Sequence, residues 1–335
     1  MDKTQTYRLI DTLNQDPDRC RAIETISFSL VKTSVGIFGS FSVCMAMKLP
    51  RIELLRLQWC EWVAGQLHAQ VFVHITLAFG SVTMLHLNFA TFPSALVFGR
   101  LVRALPCLSF LRCHHVSFER PYNVASIVQA RRPVRLDTIH LMDSDDVVDF
   151  LVSSSTHLRH LSSYELNLSK CSELLPVTTE SLSSMHIELE RIGPREAFPI
   201  DFTPAVNLRI LLLTAELEDM VRAANILSRA SLPKLTEVTT TLTLYDARSY
   251  SSIVQDALDK IDKDQYARID EVLSGRQYPA LQKVAFDLVS YVPRSKVKDV
   301  ISEVSWRSQL SSWFPALHAS GRLVSSVSVR VYVGE

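Results

Sequence analysis

The chain has 335 residues, of which 47% are hydrophobic, and its 35 Lys and Arg balance its 35 Asp and Glu. This length exceeds the size at which one compact core usually stops growing, so two domains or one elongated array are both allowed. A formal net charge of zero leaves no electrostatic footprint for a nucleic acid or an anionic membrane, and we expect neither as a partner.

The first 22 residues predict an N-terminal helix or cap. They are polar and charged without an apolar h-region, so we expect no secretory signal and an intracellular location, in cytoplasm or nucleus. Six cysteines, scattered mostly through the first half, favour buried thiols in a reducing compartment. The most apolar stretches, Val35–Met47 and Val71–Phe79, are too short to span a bilayer, and we predict no transmembrane segment.

From residue 23 onward the pattern apolar-x-x-apolar-x-apolar recurs along the chain. Over the first nine copies, successive starts are 22 to 30 residues apart, close to the roughly 20–29-residue period of leucine-rich repeats. We therefore predict one array over 1–335, with regular repeats in 23–245 and longer repeats, inserted helices and a C-terminal cap in 246–335. The copies begin at Ile23, Ile52, Val82, Leu108, Leu136, Leu158, Leu182, Leu208, Leu235, Leu281 and Val324.

The third copy illustrates how one repeat is built. In a strand, side chains alternate between faces, so Leu85 and Leu87 point to the core while His86 points away from it. Apolar residues then recur at helical spacing from Leu96 to Leu105. Because one strand and one helix cannot cover their own apolar faces, neighbouring repeats must stack. The predicted fold class is α/β, a leucine-rich-repeat-like solenoid or horseshoe with parallel strands on the concave side and helices on the convex side.

Later segments add caps and inserted helices. The acidic cluster Asp143–Asp146 precedes a helical pattern, so a helix-capping role is favoured over a cation site. Ser251–Ser274 and Ser295–Ala319 predict two inserted amphipathic stretches, the second interrupted by Pro315, and Val324–Val333 predicts a last, edge-capping strand. An aromatic cluster in the second stretch is interpreted as core rather than as a partner anchor; it comprises Trp306, Trp313 and Phe314.

The residue between the second and third apolar positions of each copy should face away from the core. In copies two to seven this position is mostly basic or imidazole, and we predict a partner-binding stripe of roughly 24 Å at Arg56, His86, Arg112, His140 and His186. Arginine offers a planar fork and histidine gains charge near neutral pH, so an acidic or phosphorylated segment of a protein is the expected partner. The alternative is a solvated face. The same rule places Ala285 and Ser328 at equivalent positions.

No motif of the sequence indicates catalysis, a metal or a cofactor. Cys107, Cys113, His114 and His115 resemble a set of zinc ligands, but Cys113 falls in the core register and His114 outside it, so no metal site is predicted. Nucleotide-binding loops and hydrolase motifs are absent from the sequence. We predict that the protein is not an enzyme; an enzyme of unrecognised class, using His114 or His140, is the remaining alternative.

Several segments resemble known proteins when the repeats are aligned. Tyr7–Leu13, Ile23–Phe28, Leu49–Cys60 and Leu85–Ser94 are similar to the leucine-rich region of basidiomycete F-box-like proteins. The resemblance implies the substrate-recognition arm of a ubiquitin ligase, in which repeats select the target. The ligase adaptor subunit would be a partner only through an F-box upstream of the repeats, since none is visible in the sequence. The alternative is a general leucine-rich-repeat scaffold unrelated to ubiquitin ligases.

Overall fold

The computed structural model describes residues 3–30, 35–63, 65, 68–120, 133–189, 201–216, 220–245 and 263–332. These residues form helices and parallel strands, which confirms the predicted α/β class. The chain divides into two compact units, Met1–Leu161 and Ser162–Glu335, and the boundary falls within strand β6 (His160–Tyr164).

The first unit alternates strands and helices. Its helices are α1 (Lys3–Gln15), α2 (Pro17–Ala22), α3 (Gly36–Cys44), α4 (Ala69–Phe79), α5 (Ala95–Arg103) and α6 (Asp145–Ser153). Its strands are β1 (Thr25–Ser29), β2 (Leu54–Glu61), β3 (Met84–Phe92), β4 (Phe110–Phe118) and β5 (Thr138–Met142). They lie side by side in chain order, and every pair is parallel.

The core of the first unit follows the predicted alternation. The register aligns Leu55, Leu85, Leu111 and Ile139 across β2 to β5, and all four are completely buried. A second aligned row, two residues further along each strand, is also buried and contains Leu57, Leu87, Cys113 and Leu141. Apolar side chains of consecutive repeats therefore stack strand on strand, which removes them from water.

The second unit has the same arrangement of parallel strands in chain order. Its remaining strands are β7 (Ser184–Glu188), β8 (Ile210–Glu216), β9 (Glu237–Tyr245), β10 (Lys283–Pro293) and β11 (Leu323–Tyr332). Its helices are α7 (Leu168–Cys171), α8 (Leu174–Val177), α9 (Met220–Arg229), α10 (Lys263–Ser274), α11 (Glu303–Trp313) and α12 (Pro315–Ala319).

The inserted helices match the predicted positions where the structure describes them. Helix α10 covers the second half of the stretch predicted at Ser251–Ser274, and residues 251–262 lie outside the described residues. Helices α11 and α12 are separated by Phe314, as expected from Pro315. Trp306 and Phe314 are completely buried and Trp313 is nearly so, which confirms the interpretation of this cluster as core.

The last two copies of the apolar pattern are not aligned in the structure. Ala285 of β10 pairs with Val324 of β11, whereas Ser328 lies opposite Val289, four residues further along. Side chains in a strand alternate with a period of two, so a shift of four residues leaves the same side chains on the same face. The alternation of valine and polar residues in β11 fits both registers and cannot distinguish them.

Among the helices that the structure describes, none is both long enough and apolar enough to cross a lipid bilayer.

Candidate partner-binding face

Strands β2 to β5 have one apolar face and one polar face. The second face begins with an aligned row of buried or half-buried side chains, Leu54, Met84, Phe110 and Thr138. Beyond that row, side chains on the first face are buried, and those between them are half-buried or exposed. We call the second surface the open face. It consists of Arg56, Gln58, Trp59, Glu61, His86, Asn88, Phe89, Thr91, Arg112, His114, His115, Ser117, His140, Met142 and Asp143.

Four of the five predicted site residues form a row on the open face. Arg56 is in register with His86, His86 with Arg112, and Arg112 with His140. We call these four residues the basic row. Because neighbouring strands lie about 4.8 Å apart, the row spans about 14 Å, and about 10 Å separates its two arginines.

The two arginines of the basic row have no anionic partner among the residues that the structure describes. Other arginines, such as Arg159 and Arg307, do pair with a carboxylate. Arg56 is exposed and Arg112 is half-buried, so both guanidinium groups can be reached from solvent. Two positive charges on one surface, neither in an ion pair with a described residue, favour the binding of an anion.

His86, between these arginines, does not carry the charge that the sequence led us to expect. Burial of the imidazole, followed by the positive charges of Arg56 and Arg112, lowers its pKa to about 4. The expectation that this histidine gains charge near neutral pH is therefore wrong, because desolvation and two like charges disfavour the protonated form. At neutral pH, His86 is a neutral group with one N–H donor and one acceptor nitrogen.

His186, the fifth predicted residue, lies in the second unit and is held by its neighbours. Its Nδ1 is 3.1 Å from Ser162 Oγ and its Nε2 is 2.8 Å from Thr214 Oγ1. Burial lowers its pKa below the ordinary value. Because both ring nitrogens are engaged, we do not include His186 in the basic row.

Beyond the basic row, each strand contains an irregular step that the sequence pattern did not reveal. Trp59, Phe89 and His115 have positive φ angles of 55°, 52° and 50°, and Asp143, just after β5, has a φ of 45°. Strand pairing skips the first three residues and resumes one position later. Neighbouring strands share the step, so their register stays one to one on either side of it, and each step places two consecutive side chains on the open face.

The positive-φ residues of β2, β3 and β4 form a continuous stack of rings, which we call the aromatic ladder: Trp59, Phe89 and His115. The centroids of the Trp59 and Phe89 rings are 4.0 Å apart with planes 2° from parallel, and those of Phe89 and His115 are 4.8 Å apart at 22°. His115 Nε2 then lies 3.5 Å from Asp143 Oδ2. Trp59 remains 51% exposed, so the ladder is open at its β2 end.

The sequence analysis did not predict the aromatic ladder, because the ladder depends on left-handed backbone at Trp59, Phe89 and His115. Left-handed backbone is usually predicted from glycine or asparagine, and neither occurs at these positions. His115 and Asp143 are of types that adopt this conformation more readily than others, whereas Trp59 and Phe89 are not. The available signal lay in the alignment of the repeats, since Trp59, Phe89 and His115 all stand two residues after the last apolar position of their copies. An aromatic ring at the same exposed position of three repeats favours a cross-strand stack.

The acidic cluster Asp143–Asp146 lies at the start of α6, but its bonds differ from those of a helix cap. Ser144, the N-cap residue, makes no side-chain bond to the helix, and its Oγ accepts a hydrogen bond from Val116 N at 3.1 Å. Asp146 Oδ2 accepts a hydrogen bond from Phe118 N at 2.6 Å. Two side chains of the cluster therefore satisfy backbone donors at the end of β4, where β5 has already ended.

The cysteine and histidine pair that resembled zinc ligands is split between the two faces. Cys113 is completely buried, and burial raises the pKa of its thiol, whereas His114 lies on the open face. Within the described ranges, no group of three or more His, Cys, Asp or Glu side chains is arranged to hold a metal ion. No protein-family model matches this chain, and no curated protein is significantly similar to it. What the open face binds is therefore inferred from its own chemistry.

Proposed function

We propose that this chain is a protein-interaction module whose open face binds an acidic or phosphorylated segment of a partner protein. The observation that carries the proposal is the basic row, in which Arg56 and Arg112, neither in an ion pair with a described residue, lie on either side of a neutral His86. The protein acts by displaying this surface, and no bond is made or broken.

Binding follows from the chemistry of the row. Each arginine presents a planar fork that donates two parallel hydrogen bonds to a carboxylate or a phosphate. About 10 Å separates the Cα atoms of Arg56 and Arg112, so both extended side chains reach an anion held above the strand between them. His86 lies beneath that position and adds one N–H donor without a further charge.

The repeat type is part of the same proposal. We assign the chain to leucine-rich-repeat-like arrays, supported by the spacing of the apolar pattern and by the aligned buried rows of β2 to β5. In an F-box-like protein, such a surface selects the target of a ubiquitin ligase. A pull-down with the ligase adaptor subunit tests that setting, and absence of binding by the full-length gene product favours a general scaffold.

Fluorescence polarisation with labelled synthetic peptides tests the binding proposal. Three peptides of one sequence carry phosphoserine, glutamate or serine at the centre, which distinguishes a phosphorylated partner from an acidic one. Replacing both Arg56 and Arg112 with alanine should weaken binding of the anionic peptides roughly 10- to 100-fold. The control replaces two exposed arginines outside the open face, Arg100 and Arg209, with the same loss of charge.

The control variant separates a specific site from a general charge effect. Equal loss of affinity in both double variants would refute the proposal, as would unchanged affinity after Arg56→Ala/Arg112→Ala in a folded protein. A fall in affinity with rising salt is expected in either case, because exposed charges are screened.

A further inference from the structure

We propose that Trp59 and Glu61 form a receptor for an arginine side chain carried by the same partner segment. This inference rests on the proposed function, because it assumes that an anionic group of the segment lies at the basic row. It assigns a second specificity to the open face, at the exposed end of the aromatic ladder.

Among the residues that the structure describes, an aromatic ring stacks on only one face of the Trp59 indole. Its ring and that of Phe89 are parallel and only 4.0 Å apart, so their common normal runs roughly along the line between them, from β2 to β3. The other face of Trp59 must then look toward β1. There the ladder does not continue, because Leu30, the residue that follows β1, is buried. The 51% exposure of Trp59 agrees with an accessible face.

The groups beside this face favour a cation. Glu61 is two residues further along β2, is exposed, and forms no ion pair with any residue in the described ranges. Ser29 and Gln58, which are in register with each other, add neutral acceptors. A tryptophan face attracts cations through the ring quadrupole, and a guanidinium can stack on the ring while donating hydrogen bonds to a carboxylate. An arginine therefore satisfies both the indole and Glu61.

The backbone conformation of Trp59 supports the proposal that this residue forms a binding site. A bulky residue with a φ of 55° is strained, and glycine would occupy the position at lower cost. The strain sets the indole on the open face, next to Gln58, instead of in the core. Such outliers concentrate at binding sites, where they are part of a preorganised geometry.

The distance between the two sites predicts the spacing in the partner. The anion position above His86 and the indole of Trp59 are one strand apart and three residues apart along the strands, which is about 11 Å in extended backbone, and a long arginine side chain can span part of that distance. In a polyproline II segment, residues i and i+3 share one face and lie about 9.3 Å apart, whereas in a β-strand they point to opposite faces. The expected partner sequence is therefore an acidic or phosphorylated residue followed or preceded, three positions away, by arginine.

A double-mutant cycle tests the inference. The probe is a labelled phosphoserine-x-x-arginine peptide, compared with the same peptide carrying citrulline, which has the shape of arginine without its charge. Citrulline should lower the affinity for the native protein about 5- to 20-fold. Trp59→Gly and Glu61→Gln should each lower the affinity for the arginine peptide and reduce the difference between the two peptides to less than twofold. Glu53→Gln, which removes another exposed carboxylate, should keep the full difference.

The outcomes separate this inference from the proposed function. Equal affinity of the arginine and citrulline peptides for the native protein would overturn the inference, whereas the proposed function would still stand on the Arg56→Ala/Arg112→Ala result. A full arginine preference in the Glu61→Gln and Trp59→Gly variants would place the arginine elsewhere and also overturn it. Failure of every anionic peptide to bind the native protein would refute both proposals.

Discussion

Replacing Trp59 with glycine and with alanine separates backbone strain from ring stacking. Both variants lose the stack with Phe89, which contributes about 0.5–1.5 kcal/mol. Glycine also relieves the positive φ angle, by about 1–2 kcal/mol, and costs about 0.5–1 kcal/mol in chain entropy relative to alanine. We therefore expect the glycine variant to be more stable than the alanine variant by about 0.5–1 kcal/mol.

Gln58 provides the matched control, because it is the preceding residue of the same strand and is not among the positive-φ positions. There the usual order should hold, with alanine more stable than glycine by about 0.5–1 kcal/mol. The free energy of unfolding of all four variants, measured by urea titration, gives the comparison. If alanine is the more stable substitution at Trp59 as well as at Gln58, the strained backbone conformation of Trp59 is refuted.

Two further predictions concern the charge of His86 and the buried ion pair between Glu165 and Arg222. The pKa of His86 is about 4 in the folded protein, whereas the imidazole of the unfolded chain takes up a proton near pH 6.5. The free energy of unfolding should therefore be highest above pH 6.5 and fall as the pH is lowered toward 4. After allowance for partial exposure of the side chain, we expect a fall of about 1–2 kcal/mol. Urea titrations across this window should show that His86→Gln removes that loss, and an unchanged pH dependence would contradict the shift. In the second unit, Glu165→Ala removes the carboxylate that forms an ion pair with the buried guanidinium of Arg222 and should cost about 3–5 kcal/mol in the free energy of unfolding. Replacing both residues with methionine should recover most of that loss, and a single-variant cost below about 1 kcal/mol would show that the pair is not buried as described.

Much of the fold could be predicted from the sequence because buried side chains recur at every second residue of a strand. In β3, Leu85 and Leu87 face the core and His86 faces outward because side chains alternate along a strand. The same alternation places equivalent residues in the other strands of the first unit. The basic row follows directly once the repeats are aligned. The same period does not change when a strand shifts by an even number of residues, so the pattern alone cannot show that Ser328 lies opposite Val289 instead of Ala285.

The parts that the sequence did not reveal depend on neighbours that are distant in the chain. The pKa of His86 is set by burial and by two arginines that are 30 and 26 residues away in sequence and become adjacent only through the register. The positive φ angles at Trp59 and Phe89 oppose local residue preference and depend on pairing and stacking across strands. Contacts between distant strands cannot be predicted from the local pattern of apolar and polar residues.

The most direct test of the central claim is to locate a bound anionic peptide on the protein. The phosphoserine-x-x-arginine peptide, with a photoreactive group next to the phosphoserine, is crosslinked to the native chain, and the labelled residues are identified by mass spectrometry. Crosslinks to open-face residues of β2 to β4, lost on replacement of Arg56 and Arg112 with alanine, are the predicted result. Crosslinks confined to the helices, or retained in that variant, would contradict the assignment of the open face as the binding surface.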